Sequence, residues 1–217
     1  MPNATRFAAI LALICALAAT PSMALADTAG PMTVAHTIDL PANPTGVAVS
    51  PDGTRVYVTA TEGSQLIALD ASSGEYLWTS EMPAFPRDIV VTADGASGYV
   101  ALTNKSVVEV ELASGSVTKT FALPGTPNQI AIQRGDKRLW VLHNRKSLSV
   151  MDLASGEILT TMPTGKSPEQ LLLSNDGKRA YVLDTWYADE VRVYNAKKKK
   201  PLTTIEVRPA PHTMALN

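Results

Sequence analysis

Apolar residues fall along this chain in short runs broken by Asp, Gly, Ser and Pro, and most runs either alternate with polar positions or are apolar at consecutive positions. None shows the 3.6-residue recurrence of an amphipathic helix, so the pattern predicts strands throughout and an all-β fold class. The runs also repeat. Pro44, Pro86, Pro127 and Pro168 each open a β-rich stretch followed by a Gly-containing turn, Pro211 opens a fifth, and the intervals are 42, 41, 41 and 43 residues. A period of that length marks one supersecondary unit used several times.

Four strands, A to D, are expected in each unit. Strand A covers residues 47–50, 89–92, 130–133 and 171–174 and is apolar at successive positions, as suits an innermost strand covered on both faces. The turn after it carries Asp52-Gly53, Asp94-Gly95 or Asp176-Gly177, where glycine accepts the positive φ of a tight hairpin. The third unit has Gly135-Asp136, so a different turn is expected there. Strand B holds one aromatic residue per unit, Tyr57, Tyr99, Trp140 and Tyr181, read as packing between neighbouring sheets. Strand C covers residues 66–70, 107–111, 148–152 and 191–195, and strand D covers 76–81, 117–123, 158–162 and 202–207, with one more D strand expected at 34–40. The turn between C and D ends in Ser-Gly in three units and becomes Lys197 to Lys200 in the fourth, a solvated turn that discourages edge pairing.

Radial repetition of four-stranded antiparallel sheets is the β-propeller pattern. The wording from Pro44 through Gly46-Val47-Ala48-Val49-Ser50-Pro51-Asp52-Gly53 to Val56-Tyr57-Val58-Thr59, followed by Leu66 to Asp70 and a Ser-Gly turn, resembles the YVTN-type repeat of bacterial seven-bladed propellers. The resemblance covers residues 34–217, and the strand B wording departs from it at Gly98-Tyr99-Val100-Ala101, Leu139-Trp140-Val141-Leu142 and Ala180-Tyr181-Val182-Leu183. It implies an arc of four four-stranded antiparallel blades near 44–85, 86–126, 127–167 and 168–210, with a partial fifth unit at 211–217. A lone D strand at one end and a lone A strand at the other do not complete a blade, so the ring is expected to stay open. A truncated product, a self-contained arc, or an arc completed by missing blades or a second copy would each fit. Exposed edges favour truncation.

The first 26 residues read as a secretory signal: Arg6 supplies the positive start, residues 7–19 the apolar stretch, and Ala24-Leu25-Ala26 the small residues before a cut at Asp27. The apolar stretch is shorter than the roughly 20 residues that span a bilayer, so no membrane insertion is expected after cleavage and residues 27–217 would be periplasmic or secreted. The only cysteine, Cys15, lies inside the signal, which leaves no disulfide to hold the mature fold. With 19 basic and 20 acidic residues the surface offers no electrostatic reason to expect nucleic acid.

The chain has three histidines, His36, His143 and His212, at no metal-ligand spacing, and neither a phosphate loop nor a Gly-x-Ser-x-Gly elbow. No catalytic residue, metal or cofactor is assigned. The residue after each repeat proline varies while its surroundings recur: Thr45, Arg87, Asn128, Glu169 and His212. If each strand A starts alike, these side chains ring one mouth of the axial channel, as binding pockets use converging polar groups. The B to C loops would add His143 and Asp184 to that face, with Trp186 in the longest of them. The candidate ligand-binding set is therefore Arg87, Asn128, His143, Glu169, Asp184, Trp186 and His212. A binding or scaffold protein that recognises a protein or small ligand is the favoured function. The alternatives are a channel-mouth enzyme, as the resemblance to lactonase or quinone- or haem-linked dehydrogenase propellers implies, with His212, Arg87 and Glu169 converging, or a cell-envelope structural module.

Overall fold

The computed structural model describes residues 34, 37–40, 43–135, 137–144, 146–185, 189–208 and 211–216. The expected signal, His36 and Trp186 lie outside the described residues. Two units divide the chain, Met1–Asp39 and Leu40–Asn217. Of the first, Val34 and 37–39 are exposed and in no strand. The D strand expected at 34–40 is thus not seen at its described residues, Leu40 included. A strand D pairs with a strand C, and each C strand of the second unit already has its own D.

The second unit is sixteen strands in four antiparallel sheets. The first sheet runs β1 (Pro44–Val49), β2 (Arg55–Ala60), β3 (Gln65–Asp70) and β4 (Tyr76–Glu81). The second runs β5 (Pro86–Val91), β6 (Ser97–Leu102), β7 (Ser106–Glu111) and β8 (Ser116–Ala122). The third runs β9 (Pro127–Ile132), β10 (Arg138–His143), β11 (Ser147–Asp152) and β12 (Ile158–Pro163). The fourth runs β13 (Pro168–Leu173), β14 (Arg179–Asp184), β15 (Glu190–Asn195) and β16 (Lys200–Glu206). Each sheet begins on a repeat proline, a position where the missing N–H costs the ladder nothing.

The core lies between sheets. Tyr57, Leu66, Ala68 and Met82 of the first pack with Ile89, Val100, Leu102 and Val108 of the second. Tyr99, Ala101, Val107 and Phe121 meet Ile130, Leu139, Val141 and Met151 across the next junction. Trp140, Leu142, Leu148 and Val150 meet Leu171, Ala180, Val182 and Tyr194 across the third. The strand B aromatics are therefore the sheet-to-sheet packing residues. Tyr181, on the fourth sheet, is only half-buried. β1 lies against β5, β5 against β9 and β9 against β13, and no comparable contact among the described residues returns β13 to β1. The architecture is an all-β propeller arc of four blades in an unclosed ring.

Turn chemistry repeats with the sheets. Ser50, Thr92 and Ser174 each donate a hydroxyl to Asp52, Asp94 or Asp176 at 2.6 Å, and the Ser50 bond is the first cause holding Asp52 down at about 2. Gln133 stands at that place in the third sheet and reaches outward, its Nε2 donating to the Gly177 carbonyl (3.1 Å) while Arg134 donates to the Asn175 carbonyl (3.3 Å). The expected exception at Gly135, φ 93°, thus binds the A to B turn of the next sheet.

Candidate functional site

Strand register explains why the residue after each proline is free to vary. In the second sheet Pro86 pairs with Leu102 and Asp88 with Ala101, so Arg87 has no cross-strand partner. The same shift skips Thr45, Asn128 and Glu169 in the other sheets. Each is the extra residue of a β-bulge, a device that takes one side chain out of the in-out alternation and re-aims it. Arg87, Glu169 and Thr45 are exposed and Asn128 is half-exposed. His212 is exposed as well, in an irregular segment over 211–216.

Two predicted members of the set are not available to a ligand. His143 is the last residue of β10 rather than a loop residue, and it is fully buried. Its Nδ1 lies 3.0 Å from the Gly125 carbonyl and its Nε2 2.9 Å from Ser149 Oγ. Because a carbonyl only accepts, the neutral ring carries its proton on Nδ1 and takes the Ser149 hydroxyl proton at Nε2. Ser149 Oγ is in turn 3.0 Å from Thr161 Oγ1. Desolvation lowers the His143 pKa from 6.5, the backbone contacts opposing it, so the imidazole is a neutral structural group. Asp184 is the last residue of β14 and also has no exposed surface. Sequence places both residues at the loop end of strand B. Their inward direction follows from strand alternation, which puts them on the same face as Val141 and Val182.

Sequence reasoning missed the next position along. Inner strands have a ladder partner on one side only, and the bulge leaves the residue two after the proline facing the next sheet. Asp88 Oδ2 accepts the Ile130 N–H at 2.9 Å, and Gln129 Oε1 accepts the Leu171 N–H at 2.7 Å. Gln170 Oε1 accepts the Met214 N–H at 2.5 Å while its Nε2 donates to the Met214 carbonyl at 3.2 Å. One acceptor per sheet thus stitches each inner strand to the following one. The first sheet has Gly46 there, where a Cβ would come within 3.0 Å of Asp88 Cα. Asp88 compensates by also accepting the Ile89 N–H on Oδ1 at 2.9 Å. Burial without a facing cation pushes Asp88 up to about 6 despite these two donors. The signal that could have revealed this row was a polar residue at one fixed place in otherwise apolar strands.

Among the described residues no group of three His, Cys, Asp or Glu could hold a metal ion, and no helix is long and apolar enough to cross a membrane.

A family model described as YNCE-like beta-propeller matches residues 31–216, nearly the whole chain. The chain belongs to the YNCE-like β-propeller family. No curated protein matches it. Among solved structures, this YNCE-like propeller is similar to a chain of Kuenenia stuttgartiensis hydrazine synthase, with TM-score 0.71 and 20% identity over 84% of the present chain and 53% of that one. At that identity the likeness is one of fold, and the YNCE-like propeller spans about half the length of the matched chain.

Proposed function

We propose that this protein is an exported, periplasmic or secreted propeller that binds a protein or small ligand through the face carrying the bulges, in the manner of a binding or scaffold module. The observation that carries this reading is the bulge at the same place in every sheet. It presents a hydroxyl, a guanidinium, a carboxamide and a carboxylate from equivalent backbone positions at Thr45, Arg87, Asn128 and Glu169, none of them opposite a ladder partner. A repeat scaffold built so can change its contact chemistry without disturbing its core. His212 extends the row, and Trp186 belongs with it as a sequence-based candidate. The signal-like first 26 residues and the YVTN-like wording of the first repeat support export and a bacterial envelope setting.

The reading is tested by equilibrium binding of a panel of small carboxylic acids and short peptides to the native chain and to Arg87→Ala, Asn128→Ala and Glu169→Ala. For a ligand held by Arg87, its removal is expected to weaken binding by about 1.5–3 kcal/mol, the range for losing a charged hydrogen bond, with Tm unchanged. Binding that ignores all three substitutions, or a fall in Tm as large as the fall in affinity, overturns the assignment.

A further inference from the structure

Asp184 has lost its place as a ligand contact, yet its surroundings give it another. The β12–β13 loop wraps its carboxyl group so closely that a Cβ on Gly165 would overlap Oδ2. Oδ1 accepts the Ser167 N–H at 2.8 Å, and the Thr185 N–H donates to the Ser167 carbonyl at 3.0 Å. Oδ2 is buried and has no hydrogen-bond partner among the described residues. So are the hydroxyls of Thr185, next to Asp184, and of Thr164, next to Gly165. An ionised carboxylate can only accept, and an unpaired buried charge is among the costliest groups a protein can hold.

We propose that Asp184 Oδ2 is a proton-binding site, occupied in the folded chain where exposed carboxylates are already ionised, and that the bound proton latches the β12–β13 loop onto the end of β14. The proton arrives from solvent and leaves to it, with no other reactant. It converts Oδ2 into a donor beside two threonine hydroxyls that lack partners, while Oδ1 still accepts from Ser167.

The charges facing the carboxyl group do not supply a substitute. Glu190, on β15, repels the ionised form. Arg192 on the same strand favours ionisation but is committed to Glu190 at 2.6 Å. Lys146, in the turn between β10 and β11, also favours it, from an exposed position, and Lys166 on the wrapping loop is exposed. Burial is the first cause raising the Asp184 pKa and the Glu190 charge adds to it, the Ser167 bond, Arg192 and Lys146 opposing them. A group raised in this way stabilises the fold fully below the ordinary carboxylate range and loses that contribution as pH rises through its folded value.

Urea unfolding of the full chain and of Asp184→Asn, followed from pH 4 to pH 8, tests the proposal. The carboxamide keeps the acceptor for Ser167 and carries a permanent donor in place of the proton. The variant is expected to match the native chain at pH 4 and to exceed it increasingly at higher pH. The gap in folding constant should grow tenfold for each pH unit between 3.8 and the point where it levels off. In the native chain itself the Asp184 carboxyl carbon, followed by NMR, should titrate with a midpoint above 3.8. A midpoint at or below that value, or a gap independent of pH, overturns the proposal. So does stabilisation of the native chain alone by millimolar sodium or calcium, which would make the site one for a metal cation.

Discussion

Lys199 holds φ at 50° in the turn between β15 and β16, where Gly74, Gly115 and Gly156 hold 74°, 77° and 76° in the other sheets. A side chain in that left-handed region costs about 1–2 kcal/mol, part of which glycine returns through its freer unfolded chain. Lys199→Gly is therefore expected to stabilise the protein by roughly 0.5–1 kcal/mol in urea unfolding, with the Asn195 cap on the Lys198 N–H (2.8 Å) intact. No gain would mean that the turn relaxes in another way. Asp88 makes a pH prediction. Its folded pKa of about 6 lies above the ordinary 3.8, so it stabilises most below pH 4 and loses that contribution as pH rises to about 6. Asp88→Asn should flatten that slope, the difference between the two proteins changing by up to about 3 kcal/mol across the window. Parallel curves would show that Asp88 ionises as it would in water. Neither effect was legible in the sequence. An Asp two residues after a proline does not say whether it faces water or the N–H of a strand 42 residues later.

At the scale of elements the second and third sheets form a natural comparison. Where the third has His143 and Ser149, the second has Leu102 and Val108, all buried against the preceding sheet. The same backbone therefore accepts either an apolar pair or a hydrogen-bonded one. Replacing His143 alone by leucine leaves the Gly125 carbonyl and Ser149 Oγ short of a partner, an unsatisfied-group penalty of about 1–3 kcal/mol. His143→Leu combined with Ser149→Val removes one of those orphans. Its destabilisation is expected to be smaller than the sum of the single losses by about 1 kcal/mol, which a double-mutant cycle measures. The double variant should also lose a pH dependence. A histidine whose folded pKa is depressed stabilises the protein above 6.5 and loses that contribution as pH falls below it. The strands themselves were legible because their apolar runs, Asp-Gly turns and aromatic residues recur in register. The direction of the last residue of strand B was not, since the sequence shows a polar residue beside a turn and reads it as loop. The bulge, by contrast, was half legible: variation after each proline marked the position, and only the ladder register showed why that side chain leaves the sheet.

On the scale of the whole molecule, sheets in a row meet only their neighbours, so stability is close to a sum of sheet and junction contributions. The period and the arc were readable from five prolines, whereas the stitches that join inner strands were not, because they depend on a register offset of one residue. Those stitches allow a test of how cooperative the arc is. Gln129 Oε1 holds the Leu171 N–H at 2.7 Å across the third junction, and Asp88 Oδ2 holds the Ile130 N–H at 2.9 Å across the second. Both amides sit on strand edges that no ladder covers. Gln129→Leu keeps the volume of the side chain and removes only its acceptor, so the cost is expected to be that of one unpaired amide at a partly wet edge, about 1–2 kcal/mol. The decisive measurement is native-state hydrogen exchange at the two amides. If junctions act as neighbours, Leu171 exchanges about tenfold faster in the variant while Ile130, one junction away and bound by an untouched carboxylate, keeps its rate under conditions of local opening. Should both amides accelerate together, the four sheets open as a single cooperative body, and the polar row along the inner strands would be one continuous structural element rather than a series of separate clasps.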